Sequence, residues 1–374
     1  MNRRPEPTGP YAVGTTTFTV YTDREELRAP GTKRRVPVRV YYPASKEAVA
    51  GMDKARYMSR NVAEGLKKAL HAPIRYDNRE AAGDNVSECC PDAPKIEGSR
   101  FPLVVYSHGL SSYRESNSFL CIELASQGYV VMAVGHPYDA CCAELDDGTC
   151  LFFDGELSKK QYDPFWRGMM KAIRLTHSQG TDRELAQRFD ELQQQYCKLI
   201  ISRVREWELD TLDAVQYARE TWDAWIDFDR GIAATGHSLG GATAYVLCLD
   251  FPEFVCGVNL DGALFGDTAG KVLTRPFLQI SCQANVKAET RAFIDHTQPV
   301  YGAVFQGMQH LGFTDMKHMM PLPFLVGKLD ANVMHENVCR LHLELFDTYV
   351  KRTKDRPRMV GSEGVAVTEY PPDR

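Results

Sequence analysis

The feature that most constrains this chain is a series of short apolar runs, at residues 101–107, 129–134, 231–235, 254–260, 276–281 and 300–305. Strands buried on both faces of a parallel sheet read as continuous apolar stretches, because neither face meets water. Helix-forming segments lie between several of them. Residues 117–127 are helical in pattern and end at Gly128, 240–250 form a second helix, and 339–351 a closing one. Strand, helix and strand recur, which is the pattern of parallel strands joined by crossover helices. The expected fold is therefore α/β, with a mostly parallel central sheet flanked by helices.

The rest of the chain decorates that core. Residues 11–21 and 35–42 read as strands, the second closed by Pro43, 58–70 as a helix and 80–98 as loop. Residues 151–200 interrupt the alternation with clustered aromatics and methionines (Phe165, Trp166, Met169, Met170), then a Gln-rich helical stretch, and read as an insertion or lid over the sheet. Residues 200–218 carry an amphipathic pattern. The expected organisation is a single domain over 1–374. Within it, 1–100 form an N-terminal β extension and loop, and 357–374 a loose polar tail.

Lys+Arg 44 against Asp+Glu 49 gives a net charge of −5, which is not the footprint of a nucleic-acid binder. No stretch reaches the roughly 18 apolar residues of a membrane-spanning helix, although peripheral membrane contact is compatible with this chain. The basic start lacks the apolar stretch of a signal peptide, and the 11 cysteines include no Cys-x-x-Cys. Free thiols and a cytoplasmic location are expected. Oligomeric state is not legible.

Gly236-His237-Ser238-Leu239-Gly240 matches Gly-x-Ser-x-Gly, with an apolar strand immediately before it and a helix of small and apolar residues immediately after. That is the strand–turn–helix of the nucleophile elbow in α/β hydrolases, where a tight turn lifts the serine above the sheet. A serine hydroxyl needs a base and an orienting carboxylate, which follow in the order Ser, acid, His. Asp261 closes the next strand and is the better-placed acid, with Asp267 and Asp295 as runners-up. The later strand end offers no carboxylate until Glu289. His310, on the loop after 300–305, is the expected base, rather than His296 or His318. The oxyanion needs two donors. One is the backbone N–H of Leu239; the other, from the His108-Gly109-Leu110 loop, is that of Leu110. His335, Cys339 and His342 share a helix face, but Val338, Leu341 and Leu345 beside them favour packing over metal binding. No metal or cofactor is expected. Met316, Met319, Met320, Leu322, Phe324 and Leu325 read as core packing or as a flexible wall for an acyl chain.

With these residues placed, the chain resembles the platelet-activating factor acetylhydrolase family, a branch of the α/β hydrolases. The likeness rests on residues 9–14, on 101–110 with Arg114 following, on 236–243, on Leu260-Asp261-Gly262 and on the stretch from His310 to Asp330-Ala331-Asn332-Val333. It implies Ser238 as nucleophile, Asp261 as acid, His310 as base and the Leu110 and Leu239 amides as oxyanion hole. It also implies calcium-independent hydrolysis of short or oxidised acyl esters of phospholipids. The insertion at 151–200 and the lack of an evident export signal depart from the family. The expected function is thus a cofactor-free serine esterase acting on a small ester or lipid-like substrate. An acyltransferase or peptidase using the same triad, and an inactive binding protein of the same fold, are the alternatives.

Overall fold

A computed structural model describes residues 4–70, 85–153, 171, 174, 178–320 and 322–372. It forms two compact units, one of residues 5–155 and 209–229, the other of residues 1–4, 156–208 and 230–374. The aromatic and methionine cluster at 165–170 lies outside the described residues.

In the first unit, β1 (Ala12–Glu25) and β2 (Lys33–Ala44) form a long antiparallel pair. Helix α1 (Arg60–Leu70) follows, then the two-residue β3 (Cys90–Pro91), which pairs with β1. The apolar β4 (Leu103–Ser107), the helix α2 (Ser118–Ser126) and β5 (Val130–Val134) make a parallel crossover. Both strands are buried along their whole length, as their unbroken apolar composition requires. β5 also pairs antiparallel with β2, giving the order β4-β5-β2-β1-β3. A small hairpin, β6 (Cys142–Glu144) and β7 (Cys150–Phe152), stands apart.

In the second unit, α3 (Asp182–Tyr196) opens with a capping box, in which Thr181 and Glu184 satisfy each other's backbone amides. Helix α4 (Lys198–Trp222) runs across the boundary between the two units. Then β8 (Ile232–His237), β9 (Phe254–Leu260), β10 (Phe277–Cys282) and β11 (Val300–Phe305) lie parallel in that order. Helix α5 (Leu239–Asp250) joins β8 to β9 and packs on both. Short helices α6 (Met316–Met319) and α7 (Pro323–Val326) precede the closing α8 (Ala331–Tyr349). That helix starts eight residues before the sequence pattern suggests, because Asp330 caps it by accepting from the Asn332 and Val333 amides.

Two expectations are corrected. The tail is not loose throughout: β12 (Val365–Tyr370) pairs antiparallel with β11. The alternation of buried Val365 and half-buried Val367 with exposed Ala366 and Thr368 suits an edge strand with one face in water. The methionine-rich segment is not core. Met316, Met319, Met320 and Leu325 are half-buried, and Leu322 and Phe324 are exposed, since the short turns of α6 and α7 leave them at the surface. The architecture is α/β, with a mixed, mostly parallel sheet and flanking helices.

Candidate active site

Ser238 sits between β8 and α5 at φ 58° and ψ −121°, a left-handed backbone that non-glycine residues rarely adopt. Such strain persists only when the surroundings over-determine it. Here the Ser238 N–H donates to Leu260 O at 2.9 Å, and the Ser238 carbonyl accepts from the Gly241 and Ala242 amides. The turn is also crowded. A Cβ on Gly262 would overlap the Ser238 carbonyl, and one on Gly241 would overlap the Asn259 side chain. Asn259 clasps this corner, with Oδ1 accepting from Gly262 N–H at 2.9 Å and Nδ2 donating to Gly262 O at 2.7 Å.

Asp261 follows β9 at φ 56° and is fully buried. Three donors converge on its carboxylate. The Cys282 amide reaches Oδ1 at 2.6 Å, while Asn285 Nδ2 and His310 Nδ1 each reach Oδ2 at 2.7 Å. The same imidazole turns Nε2 to Ser238 Oγ at 3.0 Å. His310 begins a tight turn after β11, and its side chain is 40% exposed. With Nδ1–H donating to the carboxylate, Nε2 is left with a lone pair facing the serine hydroxyl. Its backbone is held as well, because His237 Nε2–H donates to His310 O at 3.0 Å. Burial, then the neighbouring His310, push the His237 imidazole down to about 3, so it stays neutral.

The structure therefore brings Ser238, Asp261 and His310 into one hydrogen-bonded row. The runners-up are engaged elsewhere. Asp267 lies 3.5 Å from Lys271, and Asp295 pairs with Arg183 and Arg291. His296 Nδ1 bonds Gln298 O, and His318 packs edge-on against His335. Glu289 is buried with one oxygen hydrogen-bonded by Ser281. Burial, then the charge of Asp261, hold its carboxyl well above the usual range. His342 bonds Thr235 Oγ1 and Val338 O inside the packing of α8, and no cluster suited to a metal ion occurs among the described residues. Leu239, at the first position of α5, has an N–H with no intrahelical acceptor. Leu110 is half-buried, and no acceptor takes its N–H among the described residues. Asn259, Asn285, the Cys282 amide and the His237 ring escape a sequence reading. Only Gly262 beside Asp261 signals the crowding around Asn259.

The family model described as platelet-activating factor acetylhydrolase, isoform II, matches residues 1–346. The chain belongs to this family. It is similar to the platelet-activating factor acetylhydrolases of Cavia porcellus (24% identical, covering 94% of this chain and 79% of that one) and Canis lupus familiaris (23%, covering 95% and 79%). A similar solved structure is a ferulic acid esterase from Streptomyces cinnamoneus. Its TM-score is 0.71 at 19% identity, with 98% of each chain covered. At that identity the likeness speaks for the fold, which is that of the α/β hydrolases, as the elbow motif suggests. Membership of the acetylhydrolase family agrees with the resemblance carried by the elbow, the His-Gly-Leu loop and Leu260-Asp261-Gly262.

Proposed function

We propose that this member of the acetylhydrolase family is a serine hydrolase that cleaves carboxylic esters through an acyl-enzyme. The observation that carries the reading is the continuous row from Asp261 through His310 to a strained, half-buried Ser238, with spacings of 2.7 and 3.0 Å. His310 Nε2 takes the Ser238 proton as Oγ attacks the ester carbonyl. Asp261 keeps the proton on Nδ1 and stabilises the imidazolium that forms. The Leu239 amide, at the first position of α5, donates to the oxyanion. The protonated imidazole then returns its proton to the leaving alcohol. Water, deprotonated by the same nitrogen, attacks the acyl-enzyme and releases the acid, and Ser238 regains its proton. No step calls for a metal or cofactor.

The apolar segment after the His310 turn supports a lipid-like ester. Met316, Met319 and Met320 are half-buried and Phe324 is 80% exposed. A short-acyl phospholipid, met by peripheral contact with a lipid surface, fits both this segment and the family. No helix among the described residues is long and apolar enough to cross a membrane. All eleven cysteines are free thiols and most are buried, which supports a reducing, cytoplasmic setting.

Ser238→Ala tests the proposal. It should lower turnover of a short-chain nitrophenyl ester by more than about 10³-fold and abolish labelling by a fluorophosphonate, with an unchanged melting temperature. Wild-type turnover by this variant would refute the reading. A panel of esters that includes a short-acyl phospholipid tests the substrate class.

A further inference from the structure

His237 stands immediately before the nucleophile and closes β8, paired in register with Leu260 of β9. Its side chain is buried, with 2% of the residue exposed. An imidazole carries two ring nitrogens, and a buried one needs a partner for each. Nε2 lies 3.0 Å from His310 O. A carbonyl can only accept, so the ring proton is on Nε2. Nδ1 is then a bare acceptor, buried and without a hydrogen-bond partner among the described residues. Leaving a buried acceptor unpaired lowers stability, whereas an apolar side chain of similar size carries no such cost. A histidine kept here at that cost has a use outside packing.

What the ring touches shows the use. His310 lies 73 positions away and opens the tight turn after β11, with its side chain 40% exposed. Protein packing therefore covers only part of the base. Its bonds to Asp261 and Ser238 keep their 2.7 and 3.0 Å spacings only while the main chain that carries the ring stays in place. The His237 bond fixes that main chain from the residue adjoining Ser238, so nucleophile and base are anchored to the same end of β8. The two rings also lie together, with centroids 4.6 Å apart and planes 36° from parallel. Contact of this kind limits how far the His310 ring can turn about its side-chain bonds. Burial, then His310, push the His237 imidazole down to about 3. The imidazolium that forms on His310 therefore meets an uncharged ring, not a like charge that would oppose its formation. Every residue in this arrangement belongs to the second unit.

We propose that His237 is a positioning residue for the base. Its Nε2–H holds the His310 main chain, and its ring braces the His310 imidazole in line with Ser238 Oγ. The inference rests on the reading of Ser238, Asp261 and His310 as a catalytic row. The experiment measures kcat and KM on a short-chain nitrophenyl ester for wild type, H237L, H237N, H237Q and Ser238→Ala, with melting temperatures. H237L removes the donor and the flat ring, and with them the unpaired Nδ1. It should lose about 10- to 100-fold in kcat, the range that a small misplacement of a reacting group costs, with KM little changed and a melting temperature close to wild type. The Gln amide nitrogen can stand where Nε2 stands and donate to His310 O, whereas that of Asn stands nearer Nδ1. H237Q should therefore recover most of the loss, and H237N little of it. A merely structural role would lower melting temperature together with kcat in H237L and show no preference for Gln over Asn, and that pattern overturns the inference. Wild-type kcat in H237L also overturns it, as does H237Q no better than H237N; the second comparison decides if H237L does not fold. An inactive Ser238→Ala beside a fully active H237L overturns this inference alone. An active Ser238→Ala overturns the hydrolase reading and this inference with it.

Discussion

Replacing Asp261 by Asn tests the row at the point where its logic is strictest. Asn tolerates a φ of 56°, so the backbone need not move. The substitution exchanges one carboxylate oxygen for an NH2, and the surroundings decide which. Oδ1 accepts from the Cys282 backbone amide at 2.6 Å, which cannot rotate away. Oδ2 faces Asn285 and His310 at 2.7 Å each, and both can reverse their polarity, by an amide flip and by a tautomer change. The new NH2 is therefore expected at the Oδ2 position, donating to His310 Nδ1 and moving the ring proton to Nε2. Nε2 then cannot accept from Ser238. A wrong tautomer at such a base costs about 10⁴-fold in kcat, or about 5 kcal/mol of transition-state stabilisation. Steady-state turnover of a nitrophenyl ester at pH 7.5, with KM and melting temperature measured on the same preparation, reads the effect. Glu289→Gln is the control. Burial already disfavours the charge on its carboxyl, and no hydrogen bond joins it to His310, so the amide should leave kcat near wild type, with Gln accepting from Ser281. A loss below tenfold in the Asp261 variant, or a large loss in the Glu289 variant instead, would refute this account of which carboxylate serves His310.

Two further predictions concern stability. Gly262→Ala places a Cβ against the Ser238 carbonyl and 2.6 Å from Asn259 Oδ1. It should cost about 1–3 kcal/mol and lower kcat together with melting temperature, because the shift moves both ends of the row; wild-type values for both would contradict the crowding. Burial raises the Glu208 carboxyl to about 7 against the opposing pull of Arg205. The folded state therefore binds more protons than the unfolded state between the ordinary glutamate value and pH 7, and stability contributed by this group falls as pH rises through that window. Melting curves from pH 4.5 to 8 should show a shallower decline for Glu208→Gln than for wild type, and parallel curves would remove the assignment.

Much of the site was legible because its signals are local. The sterics of Gly-x-Ser-x-Gly act within five residues, and the strand before it and the helix after it follow from composition alone. Asp261 and His310 could be chosen by their places at strand ends, where a parallel sheet gathers its loops. The outer layer left no such trace. Asn285 and the Cys282 amide matter only because β10 lies beside β9, and nothing in their own stretch marks them. The tail strand was misread because six residues of mixed polarity become a strand only where β11 offers an open edge.

What the chain determines by itself is which segments are strands and which are helices, and where a serine can be forced into a strained turn. These depend on hydrophobic patterning and backbone sterics over a few neighbours. The tertiary structure alone decides which polar groups meet. The clearest case is Asp210, held by Arg34 from 176 positions away and by His136 from 74. A buried carboxylate is tolerable only where such partners arrive together, and no local pattern records that they do.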